Sequence, residues 1–414
     1  MIRKAEQHKR LNIHGASDRR EMSNFFLLAL PIIDPLEFWP DIFWRVARIA
    51  RRAVWEIAMR TKALAILGAT LLSPVAAYAA EFAILGNDFG QGPVAPALRK
   101  AVVERALETV DRPPGPLPRL HTEGTLPGKG IRDISIKAKQ DQPIVLNLAV
   151  AWRLSGDPRF LDATGRYLEG WADIYQLSFN PIDETGFDTL ILAYDLTRSQ
   201  LPASTATKLD AFWRKMAVGY LDAMDAGPRN AETNWQSHRI KLATLAAYST
   251  GDPILVDRAR RAFRKQIDVN LYADGSTYDF HERDALHYVT YNLDPLMMAA
   301  LAAQAHGEDW FAWASASGAS LPKSLDWLAV YARGDKTHIE FANSKIQFDR
   351  DRAASGQKEY APHAWDVANG VGTYSLASLL DGRFLMLRED IVKRTGKQPP
   401  VWAEILRASR KPAR

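Results

Sequence analysis

Two short runs about fifty residues apart carry the side chains with the most chemical reach. NWQSHRIK spans Asn234 to Lys241, and DFHERDALHYVTY spans Asp279 to Tyr291. In each, polar groups that handle protons stand at helical spacing against an apolar stripe. Asn234 and His238 are four apart, as are Arg283 and His287, and Asp284 and Tyr288. On a helix each of these pairs shares one face. An amide, an imidazole, a guanidinium and a phenol that converge from two helices can neutralise an acid group, remove a carbon-bound proton and protonate a leaving oxygen. Those are the needs of a β-elimination beside a carboxylate. The C5 proton of a uronic acid is only weakly acidic, because its loss sets a second negative charge against the carboxylate. A donor on that carboxylate stabilises the enolate-like state. Asn234 and Arg283 are the candidate donors. His238, with an ordinary pKa of about 6.5, suits the base. Tyr288 needs a positive neighbour to bring its phenol down from about 10. Arg283, His287 or Arg239 could supply one, and a tyrosine can also return the proton to the O4 leaving group.

Each residue also has a plainer role when taken alone. His238 can be a core histidine with a satisfied hydrogen bond, Asn234 a helix cap, and Tyr288 or Tyr291 a core aromatic. HERDALH is not a zinc-binding HExxH, since Ala285 holds the fifth position. A metal set of His238, His281 and His287 is a weaker alternative. The loop FNPIDETGFD offers Asp183, Glu184 and Asp188, which would suit a glycoside hydrolase or simply be solvated acids. Lys137 and Lys139 could line an anionic subsite or a solvated helix face. The chain has no cysteine, so disulfides, thiolate catalysis and Cys-ligated zinc are excluded. Without a Gly-rich phosphate loop or a strong metal-ligand spacing, the chemistry is expected to need neither metal nor cofactor.

The elements that must position these groups read as helix after helix from Asp133 onward. Three segments share one plan: residues 144–176, 240–272 and 296–332. Each is an apolar helix, a Gly-Asp or Gly-Glu turn, and a more amphipathic helix. Gly ends the first helix, and Asp, twice with Pro behind it, starts the second. A fourth hairpin, 187–225, turns at Leu201-Pro202. The first helix of each pair is apolar nearly all round, as an inner helix should be. Repeated αα-hairpins of this kind build toroids or solenoids, so the expected fold is all-α, an (α/α) toroid or incomplete barrel of antiparallel hairpins. The best strand signal is HIEFANSKIQF, 338–348. Ahead of the hairpins, residues 111–130 hold five prolines and four glycines. That stretch reads as a lid over a cleft or as a linker.

The N-terminal stretch is of another kind. Residues 1–80 carry 12 Lys/Arg against 7 Asp/Glu, and the remaining chain balances at 41 of each. The net charge of +5 therefore belongs to this stretch, and the body has no general nucleic-acid footprint. A polyanionic substrate would need a positive field local to the cleft. Arg60 and Lys62, the apolar run Ala63 to Leu72 and the small-x-small site Ala77-Tyr78-Ala79 stand in the order of a signal peptide. Met59 is the expected start, residues 1–58 an upstream extension, 59–80 the signal peptide and 81–414 the mature domain, exported to the periplasm or beyond. A membrane anchor at 63–80 is the alternative, although that segment is short for a spanning helix.

The runs NWQSHRIKLATLAAY and ALHYVTYNLDPLMMAA resemble the two signature helices of the alginate lyase family, and the similarity covers roughly 120–380. That resemblance implies an α/α toroid that cleaves a uronate polymer without a metal, using an Asn, a His, an Arg and a Tyr. The His-Arg pair matches His238-Arg239, and Tyr288 takes the place of the catalytic Tyr. Ser237 stands where the family has Asn, which shifts the amide to Asn234. His281 stands at the family's Arg offset, which makes Arg283 the nearest guanidinium. Arg239, His287, Tyr291 and Lys137 are the expected substrate contacts. A non-catalytic glycan-binding protein of the same fold is the rival from another class.

Overall fold

The structure is a computed structural model that describes residues 82–410. The expected upstream extension and signal peptide lie outside the described residues, as does the membrane-anchor alternative. Among the described residues, no helix is long and apolar enough to cross a membrane.

After a first helix, α1 (Pro96–Leu107), and a short α2 (Arg132–Lys139), the chain builds helical hairpins. These are α3 (Asp141–Ser155) with α4 (Pro158–Ile174), and α5 (Phe187–Thr197) with α6 (Ala203–Asp225). They continue with α7 (Asn234–Thr250) and α8 (Pro253–Asn270). A one-and-a-half-turn helix, α9 (Tyr278–Arg283), leads into α10 (Leu286–Ala305), which pairs with α11 (Leu321–Arg333). Beyond a short α12 (Gln347–Ala354) come α13 (Gly370–Leu380) with α14 (Leu385–Thr395), and finally α15 (Val401–Ser409).

The turn chemistry expected from the sequence is present. Gly156 and Gly251 end α3 and α7 in the left-handed conformation, at φ 74° and 65°. Asp157 and Asp252 then cap the next helices, accepting from the backbone N–H of Arg159 and of Ile254. Helices α3, α5, α7, α10 and α13 pack side by side in that order. They form the inner layer, with α4, α6, α8, α11 and α14 outside it. Nearly every side chain of α7 and α10 is buried, whereas α8 and α11 bury one face. Because a short antiparallel return separates successive inner helices, these run in one direction and their N-termini gather at one end. That end collects positive helix-dipole ends. A chain body of zero net charge can thereby present a local positive field.

The opposite end is fastened by residues 82–92. The backbone N–H groups of Ala83, Ile84 and Leu85 donate to the Asp195 carboxylate on α5 at 2.7–3.0 Å. His306, capping α10, lies 2.7 Å from the Phe82 carbonyl. The Gly90 N–H donates to Ser409 on α15. At Gly92 the two chains touch so closely that a Cβ would stand 1.9 Å from the Ala408 carbonyl, which only glycine permits.

Three expectations need correction. The run 279–291 is not one helix: α9 stops at Arg283, Asp284 turns left-handed (φ 50°) and Ala285 is extended before α10 begins. Helical i,i+4 spacing therefore does not relate Arg283 to His287 or Asp284 to Tyr288. The helix expected right after HGEDWF starts only at Leu321. Its cap is Ser320, which accepts from the Lys323 N–H, and the Ser/Ala/Gly-rich residues before it lack the apolar period needed to coil. The strand expected over 338–348 is only Ile339–Glu340, paired with His363–Ala364.

Candidate active site

The gathered N-termini of the inner helices hold the candidate side chains Asn234, His238 and Tyr288. Thr233 caps α7 by accepting from the Trp235 N–H at 3.3 Å, so Asn234 is the first helical residue and not the cap. The Asn234 amide donates to Asp279 Oδ1 at 2.6 Å. Asp279 also accepts from Asn270 at 2.9 Å. Asn270 in turn accepts from Asn292, and Asn292 accepts from the Ser237 hydroxyl, each at 2.6 Å. This buried chain of amides, hydroxyl and carboxylate ties α7, α8, α9 and α10 together. Ser237, the departure from the family pattern, is thus a structural link that faces away from the Asn234–His238 face.

His238 lies one turn after Asn234, 3% exposed. Its Nδ1 is 2.7 Å from the Thr185 hydroxyl. That hydroxyl also accepts from the Lys241 ammonium at 2.9 Å, and Lys241 pairs with Asp188 at 2.6 Å. An ammonium can only donate, so Thr185 spends its own proton on His238 Nδ1. The imidazole then carries its hydrogen on the buried Nε2, which has no hydrogen-bond partner among the described residues. Burial pushes the His238 pKa well below its ordinary value and the Lys241 charge lowers it further, against an attraction from the Tyr291 backbone. Pro295 lies inside α10 and has no N–H to donate to the Tyr291 carbonyl four residues earlier. The ring is therefore a neutral donor.

Tyr291 joins the two halves of the site. Its ring centroid is 4.2 Å from His238 and 6.3 Å from Tyr288, so the His238 and Tyr288 rings are separated by no more than the sum of those steps. The Tyr288 hydroxyl accepts from Arg283 at 2.9 Å and from Arg352 at 3.2 Å. The Arg283 guanidinium also lies 4.1 Å over the Tyr288 ring and pairs with buried Asp349. The break at Asp284, not helical periodicity, folds Arg283 back onto this tyrosine. Arg352 is held between the rings of Phe348 and Tyr360, at 4.4 and 4.5 Å. Burial pushes the Tyr288 phenol up, and the two guanidiniums pull against it. His287, half-buried, stacks on Tyr291 with rings 10° from parallel. Burial lowers its pKa, and Arg283 and Arg352 add to the effect. Ala285 has no side-chain oxygen with which to cap α10, so Glu340, far along the chain, accepts from the His287 N–H at 2.6 Å.

The Pro/Gly-rich stretch 111–130 is a wall of the cleft. Asp183 accepts from the N–H groups of Thr122 and Glu123 at 2.6 and 2.9 Å, and His121 Nδ1 lies 3.1 Å from it. Burial opposes the charge of Asp183, but these donors outweigh it and hold the carboxyl below its usual range. Glu184 is buried under Tyr175, Ser178 and Tyr220, all donating to it. Burial raises its pKa. Both acids are thus consumed as acceptors, and neither is presented to a substrate as a hydrolase would need.

Not every expected residue arrives. Arg239 points to the other side of α7, donating to Asn230 and Gln236 beside Trp235. Lys137 is exposed. Its neighbour Lys139 faces the cleft wall instead, donating to Thr122 at 2.7 Å. His281 turns to Ser276 and Tyr272. Among the described residues, no three His, Asp or Glu side chains are grouped to hold a metal ion. Arg352, Thr185 and Lys241 were not singled out from the sequence. Lys241 stood within the first run, three residues after His238, and its i+3 spacing was the available signal.

The sequence model of the alginate lyase family matches residues 97–338, which include α7, α9 and α10. The chain belongs to the alginate lyase family. A curated relative, a "Polysaccharide lyase" of Stenotrophomonas maltophilia (strain K279a), is 30% identical over 173 residues, covering 38% of this chain. The chain spans about half the length of that relative, 51%. Among solved structures, an alginate lyase from Bacteroides ovatus superposes with a TM-score of 0.56 at 14% identity, covering 79% of this chain and 99% of that one. That likeness shows the fold, the α/α toroid. The matched family region ends just before the segment that carries Glu340, Asp349 and Arg352, so the second guanidinium on Tyr288 lies outside it.

Proposed function

We propose that this alginate lyase family member is an exported polysaccharide lyase that cleaves a uronate-containing polymer by β-elimination. The observation that carries the reading is the Tyr288 hydroxyl, held between Arg283 and Arg352 within reach of the neutral imidazole of His238. Tyr288 is the base and the acid. The two guanidiniums work against the cost that burial puts on a phenolate, although burial still leaves the phenol above its ordinary pKa. That phenolate takes the C5 proton, the C4–O4 bond breaks as the C4=C5 double bond forms, and Tyr288 hands the same proton to the departing O4. Asn234 and the Nε2–H of His238 donate to the uronate carboxylate as charge builds on it. This gives His238 a different task from the base expected of it. Its lowered pKa keeps the ring neutral but makes it a weak base, and the Thr185–Lys241 pair fills the nitrogen that would accept the proton. Arg283 and Arg352 also meet the anionic chain, and His287 and Tyr291 line its path. The reaction as drawn moves protons only between substrate and side chains.

The test is a panel of alginate, polyglucuronate, pectate and heparin-like polymers, followed by the near-ultraviolet absorbance of the unsaturated uronate product. A rising band establishes elimination. New reducing ends without the band would mean hydrolysis, and binding without either would mean a glycan-binding protein. The signal peptide is the basis for export. Mass spectrometry of the native protein should find it starting at Ala80 or Glu81, and an N-terminus at Met1 would refute export by this signal.

A further inference from the structure

Beneath the catalytic cluster the ring is hollow. A cavity of about 280 Å³ lies among the N-terminal halves of α5, α7, α10 and α13, closed on one side by α15. His238 and Tyr291 belong to both the cluster and the cavity. An apolar cavity of about 150 Å³ holds a benzene ring, so this one has room for a group of roughly twice that size, the bulk of one hexopyranose. Its chemistry is specific. The only ammonium among the described residues of its wall, Lys241, is spent on Thr185 and Asp188, and the resulting pair is neutral. A second carboxylate, Asp294, receives the Thr373 hydroxyl on Oδ1 at 2.7 Å. Its Oδ2 lies toward Gly372, where a Cβ would stand 3.9 Å away. Trp402 gives the wall an aromatic face, and Met298 and Leu192 complete it. A uronate placed here would set its carboxylate against Asp294 and a Lys241–Asp188 pair that is already neutral, with no free cation among the described lining residues. A polyol would instead donate hydroxyls to Asp294 and lay its C–H face on the indole.

We propose that this cavity is a subsite for an uncharged hexose of the substrate, next to or branching from the uronate cleaved at Tyr288. The preferred polymer is then a heteropolymer and not a run of uronates alone. The proposal rests on the lyase reading and deepens it.

The experiment compares kcat/KM on two uronate-only polymers, polymannuronate and polyglucuronate, with that on polymers in which glucuronate alternates with glucose or carries a neutral hexose branch. The same comparison is made with Met298→Phe, which fills the cavity, and with Asp294→Asn, which removes the acceptor charge without changing size. Wild type should favour the heteropolymers by about tenfold or more, and each folded variant should lose most of that preference through KM. Equal or better turnover of the uronate-only chains, or a preference that survives both substitutions, overturns the subsite. Elimination of no polymer at all overturns the lyase reading instead. The subsite then stands or falls on calorimetric binding of the neutral probe cellotetraose: binding that Met298→Phe abolishes supports it, and no binding overturns it.

Discussion

Replacing Arg352 by glutamine removes one of the two positive charges on the Tyr288 hydroxyl and keeps a polar side chain of similar reach. The guanidinium nitrogen lies 3.2 Å from the phenolic oxygen, which puts the charge centre about 4 Å away. At that separation a unit charge is worth about 1 kcal/mol in water and about 4 kcal/mol at the screening of a partly buried site. With about 1.4 kcal/mol per pKa unit, the phenol should rise by about 1 to 3 units. A base whose pKa rises is less ionised at neutral pH, so the rising limb of the pH–rate profile should move to higher pH by that amount. The rate at neutral pH should fall by about 10- to 1,000-fold. The assay is kcat against pH, read from the unsaturated product. Arg350→Gln is the control: it removes the same charge two residues away, from an exposed side chain that donates to Ser344 and Gln347, and should leave the profile in place. Lost stacking on Phe348 and Tyr360 would appear as a lower melting temperature, measured on the same sample. An Arg352→Gln protein that melts normally, with its profile unmoved and kcat within about threefold of wild type, would refute the assignment of Arg352 to Tyr288.

Tyr288→Phe should lower kcat by about 10²-fold or more with little change in KM, while the melting curve loses no more than about 1–3 kcal/mol for the hydrogen bonds to charged donors; full turnover in a stable variant removes Tyr288 from the mechanism. Thr185→Val frees His238 Nδ1, and nitrogen NMR should then show the imidazole leaving the single Nε2–H tautomer as kcat falls; an unchanged tautomer refutes the relay through Lys241. Asp183→Ala unfastens residues 121–123 and leaves backbone N–H groups unmatched, so limited proteolysis should cut the 111–130 stretch and KM should rise; resistance equal to wild type would show that Asp183 does not hold this wall. Burial raises both Asp195 and Asp294 to about 7, above an unfolded value of about 3.9. The stability each contributes is full below the unfolded pKa and is lost as pH rises through about 7. The melting temperature of Asp294→Asn should therefore decline less than wild type between those two pKa values, and parallel curves would refute the shift.

The sequence by itself determined the helical hairpins. Their signals are local: Gly156 and Gly251 can end a helix left-handed, Asp157 and Asp252 can cap the next, and the apolar period marks which helix is inside. It also determined that Asn234 and His238 share a face, because one unbroken helix carries both. The resemblance of the two runs placed Tyr288, but residue spacing misplaced its surroundings. Only the tertiary structure decided that Arg283 reaches Tyr288, because that contact depends on a left-handed Asp284 fixed by Phe341 and Asn343 from far along the chain. Arg352, Glu340 and the 121–123 wall are likewise non-local, joined to the site across more than fifty residues. Arg239 turned away for the same reason in reverse, since a cation beside a motif carries no local mark of which side of its helix the fold will bury. Which ring nitrogen of His238 is filled was also decided in space, since Thr185 lies on another element and no spacing within one helix could reveal it.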